Sequence, residues 1–199
     1  MAKSKNIKGI ISIVCLVLSV MLIVAFFMPT FVVGEDDNKL SLSAVQILEA
    51  KGLSDKELAE ETAESVNPFE EEDDREESLK LVTARAYLDN EDVTAFNTAV
   101  VFSVIMLIAG IAGVIISVFT LIKNTKFISL ICYGVIAVLS VIYLIVASNA
   151  GAQVEALKFT LLQVPAVGAG VIVSLICAIL MLVATLVAMF VKTPSKKKK

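Results

Sequence analysis

The side chains able to do chemistry are few, and their surroundings limit what they can do. The chain contains no histidine. Its three thiols, Cys15, Cys132 and Cys177, each lie inside a long uncharged apolar stretch. Such isolated cysteines indicate neither a disulfide framework nor a zinc site, and inside a membrane helix they act as small packing residues. The hydroxyls of Ser19, Ser103, Ser117, Thr120, Ser129, Tyr133, Ser140, Tyr143, Ser174 and Thr185 are spread singly through the same stretches. There a hydroxyl can bond back to its own helix without further purpose. Carboxylates crowd into one place, the run Glu70 to Glu77 (EEEDDREE). A calcium loop spaces its ligands around a sharp glycine-containing turn, whereas contiguous acids on a helix point in different directions. The run is therefore read as the solvated start of a helix. No G-x-S-x-G, H-E-x-x-H or P-loop pattern occurs. Catalytic residues, metal ligands and cofactor-binding residues are all expected to be none, and the chain reads as non-enzymatic.

The apolar stretches dominate the 199 residues, of which 57% are hydrophobic. A soluble domain rarely reaches that fraction, because its surface must stay wet. Four runs, 9–33, 96–122, 127–147 and 164–191, contain no Asp, Glu, Lys or Arg. Each has the length of about 20 residues that crosses about 30 Å of hydrocarbon. The expectation is an all-α fold: a membrane-spanning four-helix bundle with a mostly helical acidic extracytoplasmic segment between spans 1 and 2. The organisation expected is a basic N-terminus (1–8), TM1 (9–33), an acidic helical outer loop (34–95) and TM2 (96–122). A basic loop (123–126), TM3 (127–147), a short outer loop (148–163), TM4 (164–191) and a basic tail (192–199) follow. A cleaved signal peptide competes for the N-terminus, but the apolar stretch there is longer than the 7–15 residues of a signal core.

Charge orients the bundle. Lys3, Lys5 and Lys8, then Lys123 and Lys126, then Lys192 and Lys196 to Lys199 flank the runs without an acid among them. Short basic segments stay in the cytoplasm. The segment 34–95 carries 19 of the 20 acidic residues. Localisation in the cell membrane with both termini cytoplasmic follows as the expectation.

The acidic segment carries helix signals. Ser43 with Gln46 and Ser54 with Glu57 have the spacing of capping boxes, with Leu42/Ile47 and Leu53/Leu58 as hydrophobic staples. Gly52 suits a left-handed residue closing the first helix. Asn67-Pro68 marks a third start, with Glu70 to Asp73 in the first turn. Leu79, Val82 and Ala86 supply an apolar stripe, Leu81 and Leu88 a neighbouring one, and Asp89-Asn90 a stop. Two short helices and one longer one are predicted, with no competing strand pattern.

Within the spans, Ala109 and Gly113, and Gly170, Ser174 and Ala178, have the four-residue spacing that lets helices approach closely. They are read as helix-packing residues sealing the bundle, with homo-oligomerisation as the competing use. Lys196, Lys197, Lys198 and Lys199 are candidates for lipid-headgroup contact.

Met28-Pro29 followed by Leu42-Ser43-Ala44-Val45-Gln46-Ile47-Leu48 resembles small four-span membrane proteins of Gram-positive bacteria, in which span one ends near a proline before an L-S-x-x-x-[IL]-L stretch. The resemblance covers roughly a third of the chain and implies no activity. The layout is also similar to that of claudins, but without tryptophan or loop cysteines their signature is missing. The role expected is an accessory or interaction subunit that binds a protein partner through its acidic outer helices, alongside membrane lipids and without nucleic acid. A pore or transporter subunit is the alternative, although no Asp, Glu, Lys, Arg or His stands inside a span.

Overall fold

The computed structural model describes residues 2–34, 39–123, 125–157 and 163–190. It is mostly helical, at 80%. In chain order the elements are α1 (Ala2–Ala25), β1 (Pro29–Val33), β2 (Leu40–Ser43), α2 (Ala44–Gly52), α3 (Asp55–Ser65), α4 (Glu72–Leu88), α5 (Thr94–Lys123), α6 (Lys126–Ala156), β3 (Ala166–Val167) and α7 (Ala169–Phe190). They divide into two compact units.

The first unit takes α1 up to Val24, α5 and α6 from Ile105 to Val141, and α7 from Val173 onward. Its polarity is inverted relative to a soluble bundle. On α1, Ser12, Cys15, Ser19 and Leu22 recur at helical spacing and are buried, while Val17, Val20 and Val24 face outward. On α5 and α7 the buried set again includes hydroxyls, Ser117, Ser174 and Thr185, and the exposed set is rich in Ile and Val. A helix that is apolar on its outer face needs a non-aqueous surrounding. The helices α5 (30 residues), Phe127–Ala156 (30) and α7 (22) are long and apolar enough to cross a membrane, and Gly9–Ala25 is a shorter apolar helix. This is the arrangement of a multi-pass membrane protein. At 1.5 Å per residue α5 and α6 each run to about 45 Å, so about 15 Å of each exceeds the hydrocarbon.

The second unit is Ala25–Val104 with Ile142–Ile172. It contains a three-stranded sheet of order β2-β1-β3, which corrects the expectation of an all-helical chain. The helix of run 9–33 ends at Ala25, and the last residues of that run form β1. Pro29 accounts for the change, since it lacks an N–H and disfavours helix at the residue before it. β1 pairs antiparallel with β2 from Val33↔Leu40 to Pro29↔Ser43, with a bulge between Pro29 and Phe31. On its other side it pairs antiparallel with β3 through Phe31↔Val167 and Val32↔Ala166. The Gly168 N–H also donates to the Thr30 carbonyl at 2.8 Å.

Both capping boxes form. Ser43 and Gln46 satisfy each other's backbone N–H at the start of α2, and Ser54 and Glu57 do so for α3. The Ser54 backbone N–H and then its hydroxyl hold the Glu57 carboxyl below its ordinary pKa. Four local expectations are corrected. Gly52 remains inside α2, which is closed by an extended Leu53, and the one glycine with positive φ among the described residues is Gly34. The helix expected from Asn67-Pro68 begins later, at Glu72, because Asn67 instead closes a turn by accepting the Phe69 N–H. The buried stripe of α4 is Ser78, Leu81, Ala84 and Tyr87, and Leu79 is exposed. The helix α6 also continues through Ala156, so the first half of the loop expected at 148–163 is helical.

Close backbone approach sets the glycines apart. A Cβ on Gly168 would strike the Pro29 backbone, whereas one on Gly52 meets nothing within 4 Å. Gly168→Ala is expected to lower stability by about 1–3 kcal/mol and to weaken the β1–β3 pairing. Gly52→Ala should be neutral or stabilising, which thermal unfolding in detergent will check.

Candidate interaction site

The chain between β2 and α5 forms a helical module whose attachment rests on one aromatic column. Tyr87 of α4 stacks on Phe96 of α5, with ring centroids 4.9 Å apart at 15°. Phe96 stacks in turn on Phe31 of β1 at 4.5 Å and 16°. All three rings are fully buried. Such rings bury about 150–250 Å² each, and each pair adds about 0.5–1.5 kcal/mol beyond burial. The Tyr87 hydroxyl donates to the Gln163 carbonyl, and burial pushes its pKa up to about 12.

Polar clamps complete the attachment. Arg85 Nη1 donates to the carbonyls of Ala50, Lys51 and Leu53 at 3.3, 3.4 and 3.3 Å, closing the end of α2. A cation there also suits the negative end of the helix dipole. Arg85 Nε holds Asp89 at 2.8 Å. Asn97 donates to the Leu88 carbonyl at the end of α4, and Ser78 donates to Glu64 between α4 and α3. At the start of α5, Gln153 of α6 accepts the Ala95 N–H at 2.8 Å and donates to Thr94 at 3.2 Å.

The outer surface of the module is acidic. Glu70, Glu71, Glu72, Asp73 and Asp74 are all exposed, and α4 opens with three acids in its first turn. Among the described residues no three acidic or sulfur side chains converge as a metal site would require. The turn from Val66 to Phe69 projects from the same surface, with Phe69 94% exposed.

The first unit holds a seam of hydroxyls. Ser117 and Tyr133 share a 2.7 Å hydrogen bond, and Thr120 bonds both Ser129 at 2.6 Å and Thr125 at 3.1 Å. Ser19 donates to the Cys15 carbonyl and to Met181 Sδ, while Cys15 lies 3.8 Å from the Thr185 hydroxyl. Among these groups is a cavity of about 20 Å³ lined by Ser12, Cys15, Ser117, Thr120, Tyr133 and Thr185 with their neighbours. Such a volume admits about one water molecule.

The packing residues marked in the sequence have little room around them. Ala109, Ser174 and Ala178 lie buried in the interior of the first unit. A Cβ on Gly113 would stand 2.6 Å from Ser19 Oγ, so α5 meets α1 there. Gly170 belongs to the second unit, where its Cβ would stand 2.6 Å from the Ala25 carbonyl. The stripe of Gly170, Ser174 and Ala178 is thus divided between the two units. Lys196, Lys197, Lys198 and Lys199 lie outside the described residues. Sequence reasoning did not mark Tyr87, Phe96 or Arg85. The available signal was that Tyr87 is the one tyrosine outside the apolar runs.

Comparison with protein-family models, with curated proteins and with solved structures finds no match.

Because folding raises the Tyr87 pKa from 10 to about 12, its contribution to stability is complete below pH 10. It is lost as pH climbs toward 12. Tyr87→Phe keeps the ring column and is expected to cost about 0.5–1.5 kcal/mol at neutral pH. The wild-type-minus-variant tyrosinate absorbance should titrate well above the ordinary phenol range.

Proposed function

We propose that the chain is a non-catalytic, multi-pass accessory subunit whose α2–α4 module docks a partner protein on the extracytoplasmic side, with both termini cytoplasmic. The observation that carries this reading is the Tyr87–Phe96–Phe31 column. It roots an acidic helical surface rigidly in β1 and in the first turn of α5. A mere linker needs no such root. The orientation rests on the lysines flanking the apolar stretches and on the acids of 34–95.

Support for a non-catalytic role comes from the engagement of the reactive groups. Ser19, Ser117, Thr120 and Thr185 each bond to the carbonyl four residues back in their own helix. Their other bonds join helices, apart from one between Thr120 and Thr125 in the turn before α6, as expected of polar glue within a membrane bundle. The cavity among them has the size of one water molecule, which favours glue over a solute path.

Neutralising exposed acids tests the reading without deleting the fold. Glu71, Glu72, Asp73, Asp74 and Glu77 are exposed at the start of α4, and changing them to their amides preserves shape. Glu76 is kept, because it pairs with Lys80 at 2.6 Å. In native membranes, the wild type is expected to retain a stoichiometric protein partner that the amide variant loses, at equal membrane level. An unchanged set of co-purifying proteins would contradict the proposal.

A further inference from the structure

The turn joining α3 to α4 holds apolar side chains in water. Phe69 is 94% exposed and Val66 76%, whereas the other exposed large apolar residues of the module, Val45, Leu48 and Leu79, reach 36%, 37% and 45%. Full burial of such a side chain is worth about 1.5–3 kcal/mol, a gain the isolated chain forgoes here. The turn is also held in place. The Asn67 N–H donates to the Glu64 carbonyl at 3.0 Å, its Oδ1 accepts the Phe69 N–H at 3.1 Å, and its Nδ2 donates to Glu70 at 3.2 Å. A backbone already held in a turn loses little further entropy when the side chains it carries are covered.

Charge selects what covers it. Phe69 is followed directly by five exposed carboxylates, Glu70 to Asp74. A field of that sign attracts a cationic surface and repels anionic lipid and acidic protein. We infer that the Val66–Phe69 turn is the contact point for a cationic, partly apolar segment of a partner protein: an apolar side chain covers Phe69 while Lys or Arg side chains meet Glu70 to Asp74. This deepens the docking role proposed above and rests on it.

Full-length protein in zwitterionic-lipid nanodiscs is titrated with a synthetic amphipathic Lys/Leu peptide and with its Glu/Leu counterpart, subtracting empty nanodiscs. The Lys/Leu peptide is expected to bind and to weaken with salt. Its affinity should fall about tenfold in Phe69→Ala, because the smaller side chain buries less apolar area against the peptide, and recover in Phe69→Leu. Since Phe69 is almost wholly exposed, neither change should affect folding. Equal affinity of wild type and Phe69→Ala, or equal binding of the Glu/Leu peptide, would overturn the inference. So would co-flotation of the nanodiscs with phosphatidylcholine vesicles that disappears in Phe69→Ala, since that assigns the turn to lipid. A native partner that is retained by Phe69→Ala but lost on neutralising the acids would reject this contact point and leave the docking role standing.

Discussion

Three stacked rings, from a strand, a surface helix and the first turn of a long apolar helix, are the constraint on which the second unit depends. Phe31, Phe96 and Tyr87 come from three separate elements, and each is fully buried. An acidic segment with few apolar residues cannot build a core of its own. It borrows one from the sheet and from α5. The face that α4 buries follows from this. With Tyr87 in the column, residues 78, 81 and 84 turn inward and Leu79 turns out.

The first unit obeys a different solvent. Without water to drive apolar groups together, helices in lipid associate through close contact and hydrogen bonding. Gly110 and Gly113 bring α5 against Ser19 and Ile23 of α1. The hydroxyls of Ser117, Thr120, Ser129 and Tyr133 then tie α5 to α6. Each such bond is modest, averaging about 0.6 kcal/mol in a membrane protein. The seam therefore gains its effect by number and by fixing helix register. The same hydroxyls that first stand out as candidates for chemistry are employed in joining helices.

Local signals were legible in the sequence; those that depend on remote partners were not. A capping box is complete within four residues, so Ser43/Gln46 and Ser54/Glu57 declare themselves. The long apolar helices likewise follow from composition. The sheet was hidden because β1 forms the end of an apolar run, where no alternation shows, and β3 has only two residues. Leu40-Ser41-Leu42-Ser43 does alternate, and its brevity beside a strong helix start concealed it. Asn67-Pro68 resembles a helix start, but the Asn67 side chain can equally close a turn, and it does so here. Arg85 carries no mark of its role, since its acceptors lie more than thirty residues away.

A docking role requires α2–α4 to be held as one folded body by the column through Phe96. Amide hydrogen exchange on the full chain in nanodiscs, comparing wild type with Phe96→Ala, addresses this directly. Slow exchange across α4 and β1 together in the wild type, with α4 losing protection in Phe96→Ala while α7 keeps it, is the expected result. Rapid exchange of α4 in the wild type, or protection that ignores removal of the ring, would contradict it.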